Sequence, residues 1–396
     1  LGVNAGTVTG CAASTAVMAE SDHDVQKVGG LVGRNEGTVV LSFATGAVTG
    51  TAVWRVWAIG GLVGHSTGPV TECYATGAVT GDAGGDVENA GGLIGYSMGP
   101  VSQCYATGAV TGRAYDDVWE TGGLIGYSTG PVFECYATGA VTGTAGFSVF
   151  ETGGLVGSNE GGDLTRCSAT GAVRATAEEG VYETGGLIGS HTSGTLRQCY
   201  ASGQVTATAY GVDSSGGLAG SNFEGWVEEC SATGPVVMTG ADYVSRAGGL
   251  VGVNDEGMLS QCYATGAVTA TAGDEVASPG GLVGYNWNGW IEQCYAAGAV
   301  VGSTGGNLWG LGGLVGAGDG GDVSDSYWDT DTSGQADSAG GEGLTTAEMK
   351  QQASFAGWDF TSTWGLAANA SYPYLRWSPP PFGLSVTVSG PAGSVT

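Results

Sequence analysis

The sequence predicts an all-β fold: a parallel β-helix, or β-solenoid, of about ten 31–32-residue coils, with a C-terminal helix/aromatic cap and a strand-like tail. Three observations carry this. Gly-Gly-Leu-(Val/Ile/Ala)-Gly occurs ten times, its second glycine at Gly30, Gly61, Gly92, Gly123, Gly154, Gly186, Gly217, Gly249, Gly281 and Gly313. A fixed period of this size marks a stacked repeat rather than a multidomain chain. Each repeat offers three short runs rich in Val, Thr and Tyr, with Gly, Asn, Asp or Pro between them, and no helical periodicity survives across it. Substitution within the chain also follows a parity of two: Cys73, Ala75, Gly77 and Val79 keep their kind from coil to coil, whereas Tyr74, Thr76 and Thr80 give way to Ser168, Ser202, Ser231 or Arg174. The first set is expected to face the core and the second to face out.

Taken in order, Leu1 enters in the middle of a first strand, because Gly2-Val3-Asn4 matches Gly252-Val253-Asn254 of a later repeat. Such an edge is expected to need a preceding coil, a cap or another molecule. Residues 1–328 form the repeats. Leu62 and its partners form one inward column. The adjoining column (Val63, Ile94, Ile125) is equally aliphatic although strict alternation points it outward. Either a glycine bend turns it inward or another body covers the stripe. The variable segments before each Gly-Gly, such as Asp82 to Ala90 and Glu178 to Thr184, are expected to be loops on one rim. Residues 329–377 form a capping segment. There Thr345-Thr346-Ala347-Glu348 reads as a capping box opening a short helix to about Ala353, and Trp358, Phe360, Trp364, Tyr372, Tyr374 and Trp377 supply aromatics for a plug. Residues 378–396 are a Pro-rich linker and a strand whose Leu384, Val386 and Val388 alternate. One strand cannot fold alone, so these residues, with Val3 at the other end, are the candidate assembly contacts.

Composition narrows function. Ten basic against 37 acidic residues give a formal net charge of -27, which argues against nucleic acid or an anionic membrane as partner. Only Lys27 and Lys350 are lysines. No apolar run is long enough for a membrane helix, and no charged-then-apolar leader is present. All nine cysteines share one repeat position, where Ser42 and Ser326 replace two; without Cys-x-x-Cys or clustered His, a column of buried thiols is expected, although bridges between coils fall within disulfide reach.

Glu120, Glu151 and Glu183 stack in register with Asn89 one coil earlier. Like charges under about 5 Å apart must splay into water, take up protons or share a cation such as Ca²⁺, which makes them the candidate metal residues. No other cofactor is indicated. Asp116, Asp117 and Glu120 are the nearest approach to a catalytic set, but no complementary base or nucleophile accompanies them, so no enzymatic activity is expected. Threonine columns (Thr76, Thr107; Thr80, Thr111) are too often interrupted, by Asp82, Arg113 and Arg174, for a flat ice-binding face. Tyr74, Tyr105 and Tyr136 suit an aromatic ladder or a sugar platform.

At these residues the chain resembles the GLUG-motif repeat proteins. The ten Gly-Gly-Leu units with Cys-Tyr-Ala-Thr-Gly-Ala-Val carry the likeness, and Tyr327-Trp328-Asp329-Thr330, Gly343 to Lys350 and Tyr372 to Trp377 look like the segment that closes such arrays. The resemblance implies secretion, a β-solenoid and a surface or adhesive role, with no catalytic residues of its own. A peptidase branch of the family needs His-Glu-x-x-His, and His23, His65 and His191 are not so spaced. The expected function is an extracellular structural protein, a surface stalk or self-assembling filament subunit. A carbohydrate- or host-binding adhesin acting through the rim loops is the alternative. Partners are expected to be further copies, further domains of a longer chain, or a glycan or host surface.

Overall fold

The computed structural model describes residues 1–378; the alternating tail with Leu384, Val386 and Val388 lies outside the described residues. Two compact units divide at Thr346/Ala347.

The first unit is a parallel β-solenoid. Among the described residues, two sheets have 11 strands each, a third has 12 and a fourth 18, all of them parallel. Eleven rungs about 4.8 Å apart put roughly 48 Å between first and last. One coil shows the plan. Val63–Ser66 lies in the first sheet, Val70–Thr71 in the second and Tyr74–Ala75 in the third; Val79–Ala83 and Asp86–Gly91 both lie in the fourth. Each run pairs with its counterpart one repeat away: Val63 with Ile94, Val70 with Val101, Tyr74 with Tyr105, Val79 with Val110. The variable segments expected as rim loops are therefore strands. They alternate Val87 inward with Glu88 outward, which is why they tolerate change on one side only.

Two glycines set the turn into the first sheet. A Cβ on Gly60 would lie 2.1 Å from Val63 O, and one on Gly61 would lie 2.2 Å from Gly92 O in the next coil and 2.9 Å from the Ala75 Cβ across the interior. The invariant Gly-Gly and the invariant Ala thus fit each other. This bend turns both aliphatic columns inward. Leu62 and Val63 are both fully buried, and Leu93 O accepts both of their N–H groups. The apolar stripe is core. Its cluster joins the first three sheets through Leu93, Ile94, Val101, Cys104 and Ala106, while a second cluster (Val79, Ala83, Val87, Ala90) fills the fold between the two runs of the fourth sheet.

The alternation of 31 and 32 has a single main origin. Ser128 pairs with Asn159 and Val132 with Leu164, so the corner between the first and second sheets gains one residue at this coil. The added residue takes a left-handed backbone: Gly161 at φ 78, then Ser193, Glu224, Glu256 and Asn288 at φ 46–57 in later coils. Only the repeat from Gly186 to Gly217 offsets the gain, by losing one residue between Thr208 and Gly211 within its fourth-sheet strand, Val205–Gly216. A polar column holds this corner. Asn254 Nδ2 donates to Gly257 O at 3.0 Å and to Asn286 Oδ1 at 2.8 Å, and Asn222 repeats the pattern one coil earlier. His191 continues it as a neutral ring, its Nδ1 facing Asn159 Nδ2 and its Nε2 donating to Gly194 O; burial pushes its pKa down to about 4.

The coil ends at Tyr327–Asp329, which pairs with Glu342–Leu344. Trp328 stands where earlier coils have Ala, against Gly313. The short helix expected from Thr345 to about Ala353 is present only as two 3₁₀ turns, Glu348–Lys350 and Gln352–Ser354, and no α-helix starts at Thr345. Thr346 is engaged elsewhere: its hydroxyl donates to Asp329 Oδ2 at 2.6 Å and its N–H to Asp331 Oδ2 at 2.9 Å. The one α-helix among the described residues is Thr330–Ser333, capped by Asp329, which accepts from the Asp331 and Thr332 N–H groups.

The second unit, by itself, has two 3₁₀ turns, Glu348–Lys350 and Gln352–Ser354, and an antiparallel pair of Trp364–Gly365 with Tyr374–Leu375. Met349, Phe355, Trp358, Trp364 and Leu375 are buried, with the Trp358 and Trp364 rings 4.5 Å apart, and Arg376 Nε donates to Trp364 O at 2.8 Å.

Candidate functional site

Each coil turns from the fourth sheet into the first through one left-handed residue. Lys27, Ala58, Asn89, Glu120, Glu151, Glu183, Ser214, Arg246 and Ser278 occupy this position at φ 44–59. Because the kink interrupts the strand alternation, the three glutamates form the floor of a groove rather than an open rim. One wall is the outward column of the fourth sheet, with Trp119 stacked on Phe150 at 3.9 Å and Phe150 on Tyr182 at 5.0 Å. The other is the outward column of the first sheet, where His65 stacks on Tyr96 at 5.0 Å and Tyr96 on Tyr127 at 4.9 Å.

The aromatic wall stops in mid-stack. Register places Ser158, Ser190 and Ser221 after Tyr127, with Val253 and Tyr285 following. Tyr127 leans over the first gap, its hydroxyl donating to Glu160 Oε2 at 2.5 Å. What remains open is a pocket of about 500 Å³ lined by Phe150, Glu151, Tyr182, Glu183, Ser190 and Ser221, with Asp213, Arg246 and Phe223 at its sides. Asp213 is held by Arg246, whose Nε donates to Oδ1 at 2.6 Å and whose second nitrogen meets Oδ2, and by the Ser245 hydroxyl at 2.9 Å.

Electrostatics follow from the half-burial. Glu120 is pushed up to about 7 by burial and then by Glu88 and Glu160; Glu151 is pushed up to about 8 by burial and then by Glu120, Glu183 and Glu160. Burial raises Glu183 as well, opposed by the hydroxyls of Ser221 and Ser190. Asn89 Nδ2 donates to Glu120 Oε2 at 3.3 Å. Burial and mutual repulsion thus both favour proton uptake over splaying into water. Among the described residues no group of three or more His, Cys, Asp or Glu side chains is placed to hold a metal ion. Val3, the described member of the assembly set, lies on the first-rung strand Val3–Asn4 and is 57% exposed.

The other candidate columns resolve simply. All nine cysteines are free, and all but Cys11 are buried. They also hydrogen-bond. Cys104 Sγ donates to Ser102 O at 3.1 Å and accepts the Cys73 N–H at 3.3 Å. Burial pushes the thiols of Cys167, Cys199 and Cys262 well up, so they are not nucleophiles. Phe43, Tyr74, Tyr105 and Tyr136 stack at 4.7–4.9 Å and 2–3°, a ladder whose ring faces are used on one another.

The model of the GLUG motif matches residues 56–80, 150–174 and 243–269. Each window starts in the fourth sheet, passes the Gly-Gly bend and ends after the cysteine column. The chain is a β-solenoid that carries the GLUG motif. Over 56 residues the chain is 43% identical to a protein of Evansella cellulosilytica that bears the provisional name Gly-rich membrane protein; the match covers 14% of the present chain and 6% of that relative. No solved structure matches. No helix among the described residues is long and apolar enough to cross a membrane. The pocket was not foreseen from the sequence. Its signal was there: reading the residue after each Gly-Gly-Leu-x-Gly gives His65, Tyr96 and Tyr127, then three serines.

Proposed function

We propose that the GLUG solenoid serves as an extracellular structural element, a stalk or spacer at a cell surface. The observation that carries this reading is the continuity of its columns: strands, thiols, asparagines and tyrosines each bond the coil on either side, so stiffness accrues coil by coil along the axis. A net charge of -27 keeps such a body soluble and apart from anionic surfaces. Negative-stain electron microscopy of the purified chain tests the reading. Short rods of one width support a stalk segment, regular filaments support a self-assembling subunit, and flexible or globular particles overturn both. Fractionation of the native host, with the chain recovered inside the cell, would overturn the surface location.

A further inference from the structure

The column carries no ring from Ser158 through Ser190 and Ser221 to Val253, between Tyr127 on one side and Tyr285 on the other. Tyr127 leans over the Ser158 rung, and the pocket lies at Ser190 and Ser221. At Ser190 and Ser221 the rings are missing while the backbone register continues, so the void lies where side-chain rings would otherwise stand. Its volume of about 500 Å³ lies within the range of ligand sites.

We propose that this gap binds a pyranose unit of a neutral glycan. Phe150 and Tyr182 provide an apolar wall, and Phe223, 41% exposed, stands at the rim. Opposite them stand hydroxyl partners of both kinds. Glu183 and Asp213 accept, the paired Ser190 and Ser221 hydroxyls, 3.0 Å apart, donate or accept, and Arg246 donates. Glu151, held near neutrality, can also donate. The sign of the lining selects among sugars: with Glu151 near neutrality, Glu183, Asp213 and Asp255 still face a single Arg246, so uronic, sialic or sulfated units are repelled and a neutral unit is not. Continuation of the chain has a path. Trp287, two rungs from Phe223 in the same column, and Trp226 and Trp290 on the adjoining sheet are 42–61% exposed. A rung of about 4.8 Å is close to the advance of one sugar along an extended glycan.

The proposal stands whether or not the chain is a stalk, since it rests on the pocket alone. The test is binding of the purified full chain to an array carrying neutral gluco-, manno-, galacto- and xylo-oligosaccharides, with polygalacturonate, sulfated and free-amine glycans as contrasts. Retention of a neutral glycan is expected, reduced at least tenfold in the double variant Ser190→Tyr, Ser221→Tyr, which fills the pocket with rings and leaves the melting temperature equal or higher. Should that variant fail to fold, Glu183→Gln and Tyr182→Ala replace it, each expected to weaken retention tenfold or more. Absence of any neutral glycan, retention of charged glycans alone, or unchanged binding in the pocket variants would overturn the assignment.

Discussion

The Cys294 N–H donates to Ser326 Oγ at 3.1 Å, in the place where the Cys262 N–H finds Cys294 Sγ at 3.3 Å. Ser42 does the same for Cys11 at 3.1 Å, and both serine hydroxyls donate to the carbonyl two residues back, as the thiols do. The column is therefore selected for a small side chain that both accepts and donates, with sulfur as its apolar version.

Replacement of Cys135 follows from this. Cys135→Ser preserves the acceptor for the Cys104 N–H and is expected to cost under about 1 kcal/mol, whereas Cys135→Ala strands that buried donor and should cost about 1–3 kcal/mol. Urea titration of the two variants compares them. Equal losses would mean that the column works by volume alone.

Stability should fall as pH rises. Glu120 and Glu151 bind their protons more tightly folded than unfolded, so their contribution is fully present below the unfolded value near 4.5 and is lost as pH climbs through about 7 and about 8. A melting temperature lower by a few degrees at pH 8.5 than at pH 5.5 is expected, with Glu151→Gln flattening the difference. Millimolar calcium that restores the loss at pH 8.5 in the parent, and not in Glu151→Gln, would assign the column a cation as well.

Gly123→Ala places a methyl group 2.0 Å from Gly154 O and 3.0 Å from the Ala137 Cβ. Backbone cannot yield there without shifting a rung, so a loss of about 1–3 kcal/mol or more is expected. The paired change Gly123→Ala, Ala137→Gly should recover little, because the carbonyl clash remains; full recovery in denaturant titration would contradict the assignment of the clash to Gly154 O.

Asn254→Ala removes two donated bonds and the acceptor of Asn222 in a fully buried corner. The loss should be about 2–4 kcal/mol, since stranded buried partners cost more than the bonds alone return. Hydrogen exchange is expected to quicken at Gly257 and its neighbours while distant rungs stay protected.

Much of this was readable from the chain. Period, parity and residue volume placed Cys73, Ala75, Val79 and Leu62 inside and Tyr74 outside, because stacked coils impose one environment on each column. Two kinds of feature were not. The segments before Gly-Gly looked like loops because their outward positions, such as Glu88, Trp119 and Tyr182, change freely while only Val87, Val118 and Val181 hold the inner face. Thr345 to Glu348 looked like a capping box because nothing local reveals that Asp329 takes the Thr346 hydroxyl. The pocket was invisible for a third reason. It arises from side chains that are absent, and only aligning Tyr127, Ser190 and Ser221 as one column exposes it.

The extra residue at the Asn corner has a practical consequence. Elsewhere in a coil an inserted residue would exchange the inner and outer faces of everything up to the next bend. Between Asn254 and Leu259 it has already been accepted, with Glu256 at φ 52 and every following column undisturbed. That corner is a built-in splice point, where a peptide tag or epitope can be displayed on a chosen rung at a known height along the axis.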